Sequence, residues 1–320
     1  MRPDACLCAV LLAVAPGARA ETAYVSDEQE NVVHVIVAPN WNQVTNIAVG
    51  QRPRGMALSG DGRRLYVAVG NDDRIDVIDL ASRRVIDHLP AGPDPERFVV
   101  SPDGRRLYIA NENDNQVSFV DIAGKRIEHQ VDVGAEPEGM AVSPDGKQVI
   151  CTSESASLVH FIDAGSAKLI DSILVGTRPR DARFSSDGGR LWVSSETRAS
   201  VAIFQPSPPT LLHTIDFDAD DAAPDKVQAV GIALTRAGDR AFVALGRGNQ
   251  VADVDANTYA VRHYIPTGER VWGIALSPDE TRLYAANGLS GTVSVIDTGN
   301  DGNIATIATG GKPWGVITTP

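Results

Sequence analysis

The sequence predicts an all-β protein, a seven-bladed β-propeller with four antiparallel strands in each blade. Three observations predict it. A Ser-Pro-Asp-Gly turn, or a variant of it, recurs with its serine or threonine at positions 59, 101, 143, 185, 235, 277 and 319. The interval is 42 residues every time except between 185 and 235, where it is 50. Between these turns lie short runs rich in β-branched and aromatic residues, and four such runs per unit make a propeller blade.

Within a unit, Arg-Arg-Leu-Tyr-Val-Ala beginning at Arg63 reads as a strand, and Arg-Ile-Asp-Val-Ile-Asp ending at Asp79 as the next. Further strands are expected from Arg83 to Leu89 and from Gly55 to Ser59. Proline presets φ and glycine accepts positive φ, so Pro102-Asp103-Gly104 and its counterparts supply the turn chemistry. Helical solenoids need a 3.6-residue apolar period that these units lack, and a parallel β-helix would use shorter coils.

The chain ends set the blade number. The last unit stops at Thr319-Pro320, where its second strand should begin, and the missing strands sit at the other end of the chain. Tyr24 opens a column that continues through Tyr66, Tyr108, Ile150, Trp192, Phe242 and Tyr284, seven positions for seven blades. Residues 21 to about 49 should therefore pair with an innermost strand at Trp314 to Thr318, which removes an open sheet edge. The eight extra residues of the long interval fall in an acidic insertion at about 218–225.

Arg2, the apolar run from Cys6 to Ala15, and Ala18-Arg19-Ala20 form a signal-peptide pattern, with cleavage expected after Ala20. The apolar run is too short for a membrane span, and the expectation is a periplasmic protein, a monomer, with residues 21–320 as one propeller domain. Cys6 and Cys8 would leave with the signal; Cys151, in an apolar strand, would remain as a buried thiol without a partner. The full chain carries a net charge of −12, and residues 1–20 hold two arginines and one aspartate, so the remainder sits near −13. That balance argues against nucleic acid as a partner and leaves cationic proteins or cationic small ligands open.

Leu-Tyr-Val-Ala at 65–68, Leu-Tyr-Ile-Ala-Asn at 107–111, Leu-Tyr-Ala-Ala-Asn at 283–287 and Val-Ser-Val-Ile-Asp at 293–297 resemble the repeats of the YVTN β-propeller family, over essentially all of residues 21–320. In length, leader and repeat the chain more narrowly resembles secreted propellers associated with pyrroloquinoline-quinone-dependent alcohol catabolism. That resemblance implies an accessory periplasmic protein acting beside a quinoprotein dehydrogenase or a cytochrome c. The adjacent cysteines and tryptophan-docking repeats of the catalytic quinoprotein dehydrogenases are missing, so a quinoenzyme is not expected. A repeat of this kind encodes packing and turns, and function has to be argued from a site.

Loops leading into the innermost strands share one rim with loops between second and third strands. The position after the proline of Pro-x-Gly-x-Ala reads Arg54, Glu96, Glu138, Arg180, Val230, Trp272 and Trp314. Two positions earlier stand Arg52, Asp94, Glu136, Arg178, Gln228, Arg270 and Lys312, and Arg97 and Asp181 interrupt the glycine column that follows. A position that only packs would not vary in this way. The other rim loops contribute Glu28, Glu112, Glu154 and Glu196 in one column.

Arginines bind carboxylates and phosphates bidentately, and tryptophan faces stack on planar rings or cations. An anionic planar ligand would fit Arg54, Arg97, Arg180, Trp272 and Trp314; alternatively, these arginines pair with Glu96, Glu138 and Asp181 and fill the mouth. The glutamate column reads as a docking patch for a basic partner, a cation site or a solvated rim. No resident cofactor is expected, with pyrroloquinoline quinone and calcium left open.

His34, His88, His129, His160, His213 and His263 all fall outside the innermost strands, unlike the histidine of propellers that carry haem d1. Covalent-haem, zinc-protease, nucleophile-elbow and phosphate-loop motifs are missing. Asp216, Asp218 and Asp220 begin like a calcium loop, but Asp221 replaces its glycine and Val227 its glutamate; the segment from Asp297 to Gly302 fails similarly at Ala308. Three readings follow. One is a non-catalytic binding or interaction module; another is a hydrolase resembling lactonase propellers, or a cofactor-maturation protein, using Glu96, Glu138 and Asp181; the third is a structural scaffold.

Overall fold

The computed structural model describes residues 21–41, 44–218 and 223–320. The expected leader (1–20) and the middle of the acidic insertion, with Asp220 and Asp221, lie outside the described residues. Seven four-stranded antiparallel sheets form the propeller. Blade 1 combines 313–319 with 22–48, and blades 2 to 7 follow at 53–90, 95–132, 137–174, 179–216, 232–266 and 271–308. The first-named strand of each lies innermost, against the innermost strands of its neighbours.

Ring closure runs as the chain ends predict. Thr22–Asp27 pairs antiparallel with Pro313–Thr319, placing Val25 opposite Val316 and Tyr24 opposite Ile317. The last strand of the chain thus becomes the inner strand of the first blade, and Thr22–Asp27 is not left as an open edge.

Alternation along the second strands explains how blades stack. In blade 2, Leu65, Val67 and Val69 pack with Tyr24, Val33 and Val35 of blade 1, while Tyr66 and Ala68 pack with Phe98, Leu107 and Ile109 of blade 3. Successive side chains point to opposite sheet faces, so one strand serves two interfaces. The aromatic column from Tyr24 to Tyr284 is buried in every blade. Each such large side chain contributes about 1.5–3 kcal/mol through removal from water.

The recurring turn is tied by its own side chains. In blade 3 Ser101 Oγ donates to Asp103 Oδ1 at 2.6 Å and accepts the Arg106 N–H at 2.9 Å, while Gly104 takes φ +70°. The same serine–aspartate bond recurs at Ser59, Ser143, Ser185 and Ser277.

The histidines fall where the columns place them. His34 and His160 are buried in third strands, held by Asp27 and Asn46 and by Ser153 and Ser172. His88, His129, His213 and His263 lie on outermost strands. Cys151 is fully buried, and burial pushes its thiol up. The calcium-like carboxylates have other work: Asp216 pairs with Arg198, Asp297 caps its own turn through Gly299 and Asn300 N–H, and Asp301 pairs with Arg240. Among the described residues no helix is long and apolar enough to cross a membrane.

Innermost strands approach closely wherever the column keeps its glycine, in five of the seven blades. A Cβ on Gly273 would sit 2.7 Å from the Trp314 carbonyl oxygen of the next blade, and one on Gly139 2.8 Å from that of Arg180. Gly273→Ala is therefore expected to cost about 1–3 kcal/mol in chemical denaturation through overpacking. Gly60→Ala, whose Cβ meets open space, should stay within about 0.5 kcal/mol of the parent. Equal stability of the two variants would refute the close-approach account.

Candidate functional site

The charged mouth is assembled by a local backbone device repeated in most blades. Arg52, Asp94, Glu136, Arg178 and Arg270 adopt left-handed φ of 52–59° just before their innermost strands. This is an unfavourable region for side chains of this size. A partner 21 residues upstream holds four of them. The side chains of Asn31, Asp73, Asn115 and Asn249 accept the N–H of Arg52, Asp94, Glu136 and Arg270 at 2.9–3.1 Å. A register shift then follows inside the innermost strand, between Pro53 and Met56 in blade 2 and at the equivalent step in blades 3, 4, 5 and 7. Bulges of this kind re-aim side chains, and here they bring Arg54, Glu96, Glu138, Arg180 and Trp272 to the channel.

Two ion-pair groups result. In the first, Arg52 bonds Asp94 and Glu96 and lies 3.5 Å from Glu112, while Arg54 lies 3.0 Å from Glu28 and 3.2 Å from Glu96. In the second, Arg180 bonds Glu154, reaches Glu196 at 2.6 Å and lies 3.3 Å from Glu138. Arg178 pairs with Glu154 and Glu196, and Arg270 meets Glu196 at 3.2 Å. Trp272 lies beneath Arg270 and Arg180, with guanidinium carbons 4.2 and 5.4 Å from its ring centroid. Trp314 does the same for Arg97 at 4.6 Å and Arg54 at 5.2 Å. Arg97 also spans from blade 3 toward Asp181 of blade 5, 3.8 Å away.

Proton affinities follow from burial and crowding. Burial and the Glu138 charge push the Glu96 carboxyl well above its usual range, against the pull of Arg54 and Arg52. Burial likewise carries Glu154 up to about 7, opposed by Arg180 and Arg178 and assisted by Glu138 and Glu196. Burial would raise Glu196 too, but Arg180, Arg270 and Arg178 outweigh it and hold it below the model-peptide value.

The sequence-derived candidates thus come together at one mouth, and the pairing that fills it joins Arg54 to Glu96 and Arg180 to Glu138. Two assignments need correction. Asp181 does not offer a free carboxylate: it replaces a glycine and accepts the N–H of Ile232 in blade 6 and of Ala182, both at 3.0 Å. Glu154 and Glu196 are buried under arginines and present nothing to a docking partner, leaving Glu28 and Glu112 half-exposed in that column. Exposed acids of the rim stand outside the column, among them Glu30, Asp73, Asp114 and Glu269.

Arg52, Arg178 and Arg270 were legible as rim residues but not as partners, because their carboxylates come from other blades or from distant turns. The carboxylates of Asp94, Glu96 and Glu112 come within 4.8 Å of one another, as metal ligands would. The Arg52 guanidinium already bonds the first two and lies beside the third, so the local cation is part of the chain. On the opposite face a cleft of about 500 Å³ between blades 4 and 5 is lined by Asp145, Lys147, Ile170, Phe184 and Pro206.

The family model described as the choice-of-anchor I domain matches residues 115–306, and that described as a YNCE-like beta-propeller matches residues 56–142. No curated protein matches the sequence. Among solved structures, Kuenenia stuttgartiensis hydrazine synthase superposes with a TM-score of 0.78 at 22% identity, covering 87% of this chain and 92% of that one. A Lactobacillus plantarum protein superposes at 0.80 and 18% identity, covering 94% and 100%. A Bacteroides uniformis protein, for which 6-phosphogluconolactonase activity is a proposal, superposes at 0.78 and 17% identity, covering 93% and 99%. These likenesses are of fold.

Removing one partner of a buried pair strands the other charge, so Arg180→Met should destabilise the protein by about 3–5 kcal/mol in urea unfolding. A loss under about 1 kcal/mol would show that the glutamates around it do not depend on this arginine. The raised carboxyls give a second expectation. Folding takes up protons above about pH 4.5, where an unfolded glutamate ionises while Glu96 and Glu154 hold their protons, for Glu154 up to about 7. The stability these protonated carboxyls contribute is full below that window and falls as pH rises through it. Glu96→Gln should flatten this decline, and an unchanged slope would place the proton elsewhere.

Proposed function

The chain belongs to the choice-of-anchor I domain family, and from that premise we propose that it is a non-catalytic binding and interaction propeller of the periplasm, accessory to quinoprotein-dependent alcohol oxidation. The observation that carries the reading is the commitment of the mouth carboxylates. Glu96, Glu138, Glu154 and Glu196, the groups a hydrolase would use as general base or metal ligand, each face at least one arginine. A general base has to reach the proton it abstracts, and guanidinium groups occupy that approach here.

A basic partner, such as a cytochrome c or a dehydrogenase with a basic face, finds its complement elsewhere on the rim. Glu28, Glu30, Asp73, Glu112 and Asp114 stand on the loops of blades 1 to 3, half-exposed or exposed, on a chain of net charge −12. Complementary charge of this sort steers encounter and is screened by salt. The leader pattern supports export, and one carboxylate of pyrroloquinoline quinone matches the arginines of the mouth.

A hydrolase is the second reading, favoured by the position of Glu154 near neutrality at the mouth. Titration of the purified protein with a basic cytochrome c and with a quinoprotein dehydrogenase separates the two. Binding should be detectable at low ionic strength, weaken by about tenfold or more toward physiological salt, and weaken again in the double variant Glu30→Gln, Asp114→Asn. No binding to either protein, together with acid release from a sugar lactone in a pH-stat, would replace this reading with the hydrolase.

A further inference from the structure

We propose that the mouth holds a site for a small oxyanion, a carboxylate or a phosphate group, between Arg54, Arg97 and Trp314. The proposal deepens the view of the mouth as a binding face and rests on it. Among the described residues eight buried side-chain polar atoms have no hydrogen-bond partner, and four belong to this one cluster: Arg54 Nε, Arg97 Nε, Trp314 Nε1 and Glu96 Oε2. The four side chains are contiguous. Both guanidinium groups lie over the Trp314 ring, and Arg54 Nη1 is 3.2 Å from Glu96 Oε2. Three of the orphaned atoms are N–H donors, and leaving a buried donor unpaired is costly. Trp314 itself is only 2% exposed.

Charge points the same way. Arg97 has Asp181 as its nearest carboxylate, at 3.8 Å, beyond hydrogen-bond reach. Asp181 already accepts two backbone N–H groups. Arg54 shares Glu96 with Arg52, and Glu96 resists ionisation, so Glu28 is the carboxylate that neutralises Arg54. The pocket is therefore short of negative charge, although the protein is acidic. Across the channel, by contrast, three arginines share Glu138, Glu154 and Glu196. A cation would be repelled by two guanidinium groups. Water could satisfy the donors but would leave Arg97 with Asp181 at 3.8 Å as its nearest counter-charge, whereas an oxyanion satisfies the donors, adds a closer negative charge and can accept from a protonated Glu96 as well.

The purified protein should be titrated with sodium acetate and with sodium phosphate against chloride at matched ionic strength, following tryptophan fluorescence and the thermal midpoint. A saturable fluorescence change and a raised midpoint are expected with at least one anion, and the two arms distinguish a carboxylate from a phosphate site. Trp314→Phe keeps an aromatic face but removes the N–H together with the larger indole and its fluorescence, so its response is read from the thermal midpoint; it and Arg97→Met should each weaken anion binding by about tenfold or more on that readout. If Arg97→Met fails to fold, Trp314→Phe alone decides. No saturable response to either anion in the parent, or an undiminished response in the variants that fold, would overturn the proposal. Partner binding is a separate readout. An oxyanion response without it keeps this site and sinks the docking role, and partner binding without an oxyanion response does the reverse.

Discussion

Charge taken out of water at the axis must be neutralised, here largely from another blade, and the mouth of this propeller is organised around that demand. Glu96 is wholly buried, and Glu138, Glu154, Glu196 and Arg180 nearly so. Each would be prohibitively costly to bury alone. Their partners come largely from other blades: Arg52 and Arg54 of blade 2 reach Glu96 of blade 3, and Arg180 of blade 5 reaches Glu138 of blade 4. Ion pairs placed this way tie neighbouring blades at the axis, where the strands run so close that glycine fills the next position after Arg54 and Glu138.

This explains why a regular repeat becomes irregular in one zone. Turn and strand positions repeat because each must satisfy the same local bonds, as the serine–aspartate turn does in five blades. At the mouth the requirement is only that the sum over blades balance, so arginine, glutamate, valine and tryptophan can occupy equivalent positions. Specific recognition can arise there without disturbing the packing that makes the ring.

The strands, the blade count and the closure were legible because they depend on sequence-local signals: a two-residue alternation, a turn of fixed composition and a fixed interval. The mouth was legible as a set of residues because the repeat puts equivalent positions on one rim. Which arginine meets which glutamate was not, since that depends on side-chain reach across blades and on bulges that no single unit reveals. The role of Asp181 was hidden for the same reason; its partner is the backbone of Ile232, which no side-chain pattern announces. A faint signal did exist for the left-handed rim positions. An asparagine or aspartate stands 21 residues, half a repeat, before Arg52, Asp94, Glu136 and Arg270.

The two halves of the mouth are chemically unequal, and the inequality follows from counting charges per group. Glu138, Glu154 and Glu196 meet Arg178, Arg180 and Arg270 one for one, and Trp272 lies under two of those arginines. Glu28, Asp94, Glu96 and Glu112 outnumber Arg52 and Arg54, and the most buried of the four, Glu96, resists ionisation because of that burial and the charge of Glu138 across the group boundary. Its neutrality withdraws a counter-charge from Arg54, beside an Arg97 that already lacks a close one. Burial thus produces a local deficit of negative charge at Trp314 within a group rich in acids, because it selects which carboxylate gives up its charge.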